Sequence, residues 1–349
     1  MRALVFEQWK TPPTLKDIDK PTPGPGEVLL KVAGAGACHS DVAVFDTYDE
    51  SMGMTQLEGP YVLGHENSGW IEELGEGVAG LNKGDAFLVY GPIGCGHCPP
   101  CSRGQDTYCE NAATMPYLAS GLGRNGGMAE YMTVPARNLV PLGDADPYAA
   151  APLADAGLTP YHAIKLSLPK LAGGGKFALV IGLGGLGLIA VQILKAITGA
   201  TVIATDMKPE AMKRAEEFGA VTVEGGEGQA ERIRELTGGK GVDAAFDFVG
   251  IAPTIKTAMS SVARQGRVTV VGIAGGAYEW TFYTAPYEVD LTSTYWGTIA
   301  ELHEVAALYR AGQITPDVEY YALDDAMQAY GKMMDGSLSG RAVITPHGR

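Results

Sequence analysis

Positive charge is scarce in this 349-residue chain. Its 26 Lys and Arg face 40 Asp and Glu, a formal net charge of −14. Phosphate backbones and anionic lipid both need a basic face, so neither nucleic acid nor an acidic membrane surface is an expected partner. Cysteine is scarce as well. Five residues do not make a disulfide scaffold. Long apolar runs are nearly absent. The longest uncharged one, residues 177–194, has the length of a membrane span but carries Gly182, Gly184, Gly185 and Gly187. The run Ala3–Phe6 near the amino terminus is too short for the core of a signal peptide. These absences lead us to expect a soluble, cytoplasmic protein. With 46% hydrophobic residues there is ample material for a core, and the length suits two domains.

Two kinds of sequence follow one another. Up to about residue 150, short strand-like runs (Glu27–Val32, Tyr61–Leu74, Ala86–Tyr90, Met128–Val134) are broken by Gly and Pro, as in irregular antiparallel β structure. Beyond it, strands and helices alternate. Strands are expected at Phe177–Ile181, Thr201–Thr205, Val221–Val223, Val242–Phe248, Val268–Ile273 and Val289–Tyr295. Helices are expected at Gly185–Thr198, Pro209–Phe218, Gln229–Leu236 and Thr254–Val262. Such alternation implies an α/β, doubly wound parallel sheet of six strands covered on both faces. The tail, with helices near Ala300–Arg310 and Asp324–Asp335 and a strand at Arg341–Ile344, is expected to pack back on the first domain.

The run Gly182-Leu183-Gly184-Gly185-Leu186-Gly187 joins a strand to a helix and fits G-x-G-x-x-G. The first glycine permits a tight turn, the second lets backbone approach a pyrophosphate, and the third lets helix and strand pack closely. Asp206, 19 residues past Gly187, ends the next strand. A carboxylate there can accept hydrogen bonds from both ribose hydroxyls of NAD. A 2′-phosphate beside it would be repelled by about 4 kcal/mol at ~4 Å and an effective dielectric of 20, so NAD is expected over NADP.

Cys95, Cys98, Cys101 and Cys109 crowd into 15 residues, a spacing that suits a structural zinc ion with no open position. A ferredoxin cluster would place its fourth cysteine nearer and follow it with proline, whereas Glu110 follows Cys109. The remaining cysteine opens Cys38-His39-Ser40-Asp41, and Gly64-His65-Glu66 follows another β run. Alone, a cysteine and a histidine prove little, since an isolated cysteine is most often a small core residue.

Taken together, these two segments, the four-cysteine loop and the glycine run resemble the zinc-dependent medium-chain alcohol dehydrogenase family over essentially the whole chain. The segment from Pro152 to His162 looks most like that of bacterial NAD-dependent secondary-alcohol dehydrogenases. The resemblance implies a GroES-like catalytic domain at 1–156, joined by 297–349, and an NAD-binding Rossmann domain at 157–296. It implies two zinc ions per chain, the catalytic one held by Cys38, His65 and Asp155, with Asp155 standing where the family often has a second cysteine. It makes Ser40 the acceptor of the alcohol proton, Asp41 the acid that orients His65, and Glu66 an occasional ligand. His39 and Arg341 are expected at the pyrophosphate, Thr159 at the nicotinamide, and Gly272 and Ile273 at its carboxamide.

The resemblance also places Ala43, the loop with Met52 and Met54, Tyr117, Leu118, Tyr295 and Trp296 around the substrate, which suits a hydrophobic secondary or cyclic alcohol and its ketone. Many members of the family carry a histidine where this chain has Ala43, so the proton leaves Ser40 by another route. A homodimer or homotetramer is implied. Tyr283, Tyr287, Val289, Leu291 and Tyr295 fit either an edge between subunits or core. The alternatives are a polyol or formaldehyde-adduct dehydrogenase on the same scaffold, and a catalytically silent NAD-binding protein. Met327, Met333 and Met334 are expected in the core, His97, His303 and His347 at solvated positions, and His162 as a hydrogen-bonded helix residue.

Overall fold

The computed structural model describes all residues, Met1–Arg349. The chain divides into two compact units. One comprises Met1–Leu158, Thr298–Gly312 and Pro316–Arg349, the other Thr159–Gly297 and Gln313–Thr315.

The first unit is β-rich. Its larger sheet runs Leu139–Pro141, Ala86–Val89, Glu66–Leu74, Glu27–Gly36, Arg341–Thr345, Val318–Ala322, and Tyr131–Pro135 also pairs with Glu27–Gly36. Val28, Leu30, Val32, Ile71, Phe87, Val89 and Met132 form its apolar core. Burying each of the larger of these side chains contributes about 1.5–3 kcal/mol. The tail does return here: Val343 and Ile344 pair antiparallel with Gly36 and Ala35, and the Ala37 amide donates to the Ala342 carbonyl at 3.0 Å.

The run expected as one strand at Tyr61–Leu74 is two, Tyr61–Val62 and Glu66–Leu74. Gly64 sits between them at φ +96°, a left-handed conformation that breaks the ladder, and its carbonyl accepts the Gly127 amide instead. His65 is presented by this break.

The second unit contains the six-stranded parallel sheet, in the order Val221–Glu224, Thr201–Asp206, Phe177–Ile181, Val242–Asp247, Val262–Val270, Asp290–Ser293. Strands at the centre are buried on both faces and so read as continuous apolar runs: Phe177–Ile181 has four fully buried positions in five. The 18-residue uncharged run is therefore a strand, a turn and a helix, Gly185–Ile197. No helix of the chain is long and apolar enough to cross a membrane.

Several strand limits differ from expectation, and the fifth strand of this sheet, Val262–Val270, begins six residues before the expected Val268. The fifth strand ends at Val270, not Ile273, because the amides of Val271 and Gly272 both turn to the Asp247 carbonyl, at 2.8 and 3.0 Å. The sixth spans Asp290–Ser293, with Tyr295 and Trp296 beyond it and Trp296 at φ +54°. Met333 is buried as expected, but Met334 lies on the outer face of the helix Ala326–Met334 and is 53% exposed.

Candidate active site and metal centres

Cys38 leaves the end of the strand Glu27–Gly36 and precedes a single helical turn, His39–Val42. Three residues on, Asp41 folds back, and its Oδ2 accepts the Cys38 amide at 2.9 Å. Its other oxygen, Oδ1, lies 2.9 Å from Nδ1 of His65. A carboxylate only accepts, so Nδ1 carries a hydrogen and Nε2 is the ring nitrogen left for a metal ion. Nε2 faces Asp155 Oδ2 at 3.6 Å and the Ser40 hydroxyl at 3.2 Å, and the Cys38 Sγ lies 3.9 Å from the same Asp155 oxygen. Donor atoms of Cys38, His65, Glu66 and Asp155 all lie within 4.8 Å of one another.

Tetrahedral zinc with Zn–S near 2.3 Å and Zn–N or Zn–O near 2.0–2.2 Å would set such pairs about 3.3–3.7 Å apart, so this set fits the ion after a small contraction. Burial, the strongest single influence, opposes a charge on His65, but Asp41, Asp155 and Cys38 together outweigh it and hold the ring's pKa well above its usual value, so a metal ion bound at Nε2 displaces a proton there. Burial likewise pushes Glu66 up to about 7, against the pull of the Arg341 guanidinium paired with it.

The four-cysteine loop is a second, separate cluster, its sulfurs also within 4.8 Å of one another and those of Cys98 and Cys109 4.0 Å apart. Four thiolates around one zinc stand about 3.8 Å apart. Amides of His97 and Cys98 and the Asn111 side chain push the Cys95 thiol down to about 5, whereas burial pushes Cys101 up to about 12. Gly94 has no room for a side chain, since a Cβ would lie 2.4 Å from the Cys101 sulfur. Asp106 accepts the Gly94 amide at 2.9 Å and pairs with Arg137, fixing the loop to its neighbours.

In the second unit the glycine turn has the geometry its spacing implies. Gly182 takes φ +86°. A Cβ on Gly187 would stand 1.9 Å from the Gly182 carbonyl oxygen, whereas one on Gly184 would meet nothing within 4 Å. The close packing and the open approach are thus assigned to different glycines. Asp206 ends its strand with Oδ2 accepting the Leu183 amide at 2.7 Å and Oδ1 the Lys208 amide at 2.9 Å.

Two family models match this chain: the alcohol dehydrogenase GroES-like domain over residues 24–144 and the zinc-binding dehydrogenase over 185–311. The chain belongs to the zinc-binding alcohol dehydrogenase family. This bears out the expected fold and the expectation of an alcohol oxidoreductase that binds zinc.

Among curated relatives of this family member, a D-arabinose 1-dehydrogenase (NADP(+)) of Saccharolobus solfataricus is 34% identical, covering 99% of this chain and 97% of its own. An NAD-dependent alcohol dehydrogenase of Sulfolobus acidocaldarius is 35% identical over 99% of each. Among solved structures, the alcohol dehydrogenase of Aeropyrum pernix superposes with a TM-score of 0.90 at 36% identity, covering 99% of this chain and 100% of that one.

Other expected site residues are placed as follows. In the first unit His39 is exposed, Ala43, Met54, Tyr117 and Leu118 are half-buried, and Arg341 is buried against Glu66. In the second, Thr159 is buried, Ile273 and Tyr295 are exposed, and Trp296 is buried. Tyr283, Tyr287 and Leu291 are exposed near the edge strand, and only Val289 of that group joins the core.

Three contributions escaped sequence reasoning. Tyr330, fully buried on the helix Ala326–Met334, donates its hydroxyl to Asp41 Oδ2 at 2.9 Å. Arg341 is the partner of Glu66. Asp247, also fully buried, accepts the amides of Val249 and Gly250 and the Thr254 hydroxyl, shaping the turn on which Gly272 packs. The first two partners lie 289 and 275 residues from the groups they serve, beyond any local spacing rule. Asp247, at the end of a strand and seven residues before Thr254, carried a weak signal as a turn carboxylate.

Proposed function

We propose that this family member is an NAD-dependent, zinc-dependent dehydrogenase of hydrophobic, medium-sized secondary or cyclic alcohols, which it interconverts with their ketones. The observation that carries the reading is the position of the Ser40 hydroxyl at the same ring nitrogen of His65 that faces Asp155. A proton acceptor is thereby held at the mouth of the metal-ligating set.

In this reading Cys38, His65 and Asp155 hold the catalytic ion, with Glu66 able to join them, and Cys95, Cys98, Cys101 and Cys109 hold a closed structural ion. When bound, zinc supplies Lewis acidity at the alcohol oxygen and NAD accepts the hydride. Asp41 keeps His65 in the tautomer that offers Nε2. Ser40 takes the alcohol proton as its own hydroxyl proton passes on to water. In the second unit Gly182, Gly184, Gly185, Leu186 and Gly187 serve the pyrophosphate, Asp206 takes the ribose hydroxyls, and Thr159, Gly272 and Ile273 serve the nicotinamide; in the first, His39 and Arg341 are the pyrophosphate candidates. The catalytic domain is 1–156 with 297–349, and the nucleotide domain 157–296. The assembly is a homodimer or homotetramer, supported by the exposed aromatic residues near the edge strand Asp290–Ser293.

Substrate class rests on the apolar and aromatic side chains expected to meet the substrate: Ala43, Met54, Tyr117 and Leu118 of the first unit, and Tyr295 and Trp296 of the second. They offer few partners for several hydroxyls, and each buried hydroxyl left unpaired costs about 1–3 kcal/mol. Each further methylene buried gains about 0.8 kcal/mol until the cavity is full. The test is kcat/KM across ethanol, 2-propanol, 2-octanol, cyclohexanol, a monoterpene alcohol, sorbitol and D-arabinose. Efficiency is expected to rise with apolar size among the secondary alcohols. A maximum at ethanol, sorbitol or D-arabinose overturns the reading.

A further inference from the structure

Asp41 is a fully buried carboxylate with two distinct tasks. Oδ1 holds Nδ1 of His65. Oδ2 receives two donors, the Cys38 amide and the Tyr330 hydroxyl, each at 2.9 Å. The first donor is local and comes with the helical turn. The second is delivered by the helix Ala326–Met334 from nearly the far end of the chain, and its ring is wedged edge-on against Phe45 with centroids 5.5 Å apart. Tyr330 is itself fully buried, and its hydroxyl is also 3.1 Å from the Met128 sulfur, a weak acceptor, so Asp41 is its principal partner.

We infer that Tyr330 is a positioning residue for the metal-ligating histidine, acting through Asp41. The inference rests on the reading that His65 is a ligand. Two donors on Oδ2 set the plane of the carboxylate, and that plane sets the direction from which Oδ1 grips the imidazole. With the phenol removed, only the Cys38 amide remains on Oδ2, and the plane of the carboxylate is less firmly set against the pull of His65 on Oδ1. The lost donor also leaves more charge on the carboxylate, which strengthens its pull on the Nδ1 hydrogen and changes how strongly Nε2 donates. Both effects reach the ion through His65 alone, and outer partners of ligating histidines commonly affect metal affinity by 10–100-fold.

The test uses the full chain loaded with zinc, and separately with cobalt(II) at the same position, in three variants. In Tyr330→Phe the ring and its packing are kept and only the hydroxyl goes. Phe45→Leu disturbs the packing of the same ring while leaving the hydroxyl. His65→Ala reports on the ligand reading itself.

For Tyr330→Phe we expect the chelator-driven release of one metal ion per chain to quicken by about tenfold, the lower end of that range. The cobalt(II) visible bands should shift, while thermal stability falls no further than in Phe45→Leu. Phe45→Leu should keep the native spectrum and release rate. The inference is overturned if Tyr330→Phe matches the native spectrum and release rate, or if Phe45→Leu reproduces both changes. Retention of both ions in His65→Ala would instead overturn the ligand reading beneath it.

Discussion

The amide of Leu183 donates to Oδ2 of Asp206 at 2.7 Å, so the residue inside the glycine turn and the carboxylate expected to read the ribose are tied to each other. Asp206 therefore serves the turn in addition to its proposed role at the cofactor. Replacing it by Gly should narrow the preference for NADH over NADPH, which we expect to be at least about tenfold in the native protein, the factor given by 1.4 kcal/mol of the like-charge repulsion. It should also raise KM for NADH, because the Leu183 amide loses its acceptor. Steady-state kinetics with both cofactors checks this, and equal kcat/KM for the two in the native protein would refute it.

The two metal clusters should separate by mutation. Cys109→Ser opens the four-sulfur set and should cost one zinc per chain together with much of the thermal stability, since a closed structural ion contributes directly to folding. His65→Ala should cost the other zinc and abolish turnover while the fold persists. Elemental analysis and thermal melts on the two variants distinguish these outcomes. A native protein with a single zinc per chain would contradict the pair.

Gly187 tolerates no side chain. A Cβ there meets the Gly182 carbonyl at 1.9 Å, and that oxygen belongs to backbone that can move only by opening the turn. Gly187→Ala should lower the melting temperature and weaken NADH binding at once. Gly184→Ala, where a Cβ meets nothing within 4 Å of the protein, should spare stability and reduce only cofactor affinity. Tryptophan-to-NADH energy transfer titrations alongside melts read the two effects separately, and identical behaviour of the variants would count against the division of labour.

Ala43 is half-buried in the turn Ala43–Thr47 that continues from Asp41. Ala43→Leu should lower kcat/KM for cyclohexanol more than for 2-propanol, because the added branch fills space that only the larger substrate needs. A uniform loss across both alcohols would place Ala43 away from the substrate.

How much of this was legible beforehand depended on how local each signal was. The strand Phe177–Ile181 and the helix Gln229–Leu236 were read to the residue, because each is set by its own apolar pattern and flanking turns. Cys38 and Asp41 share one four-residue segment, so the family resemblance could point to both at once. The end of the strand at Val270 was missed because the carbonyl that draws off the next two amides belongs to Asp247, on a neighbouring strand. Arg341 was expected at a pyrophosphate from resemblance, and the structure adds its pairing with Glu66. Tyr330 reads in sequence as one more aromatic on an amphipathic helix. Only the folded chain brings its hydroxyl to Asp41.

The return of the tail to the strand that ends just before Cys38 has a consequence for the order of manufacture. Residues 95–109 hold all four sulfurs of that loop, and Asn111 and Arg137, which brace it, follow soon after, so the proposed ion can be captured while the ribosome is still working through the later part of the message. The neighbourhood of Cys38 and His65 is different: its sheet lacks the strand Arg341–Thr345, Glu66 lacks its guanidinium, and Asp41 lacks its phenol until the last few residues have emerged. A message truncated shortly before its end would thus yield a chain that has acquired its structural metal and never completes the surroundings of the reactive one.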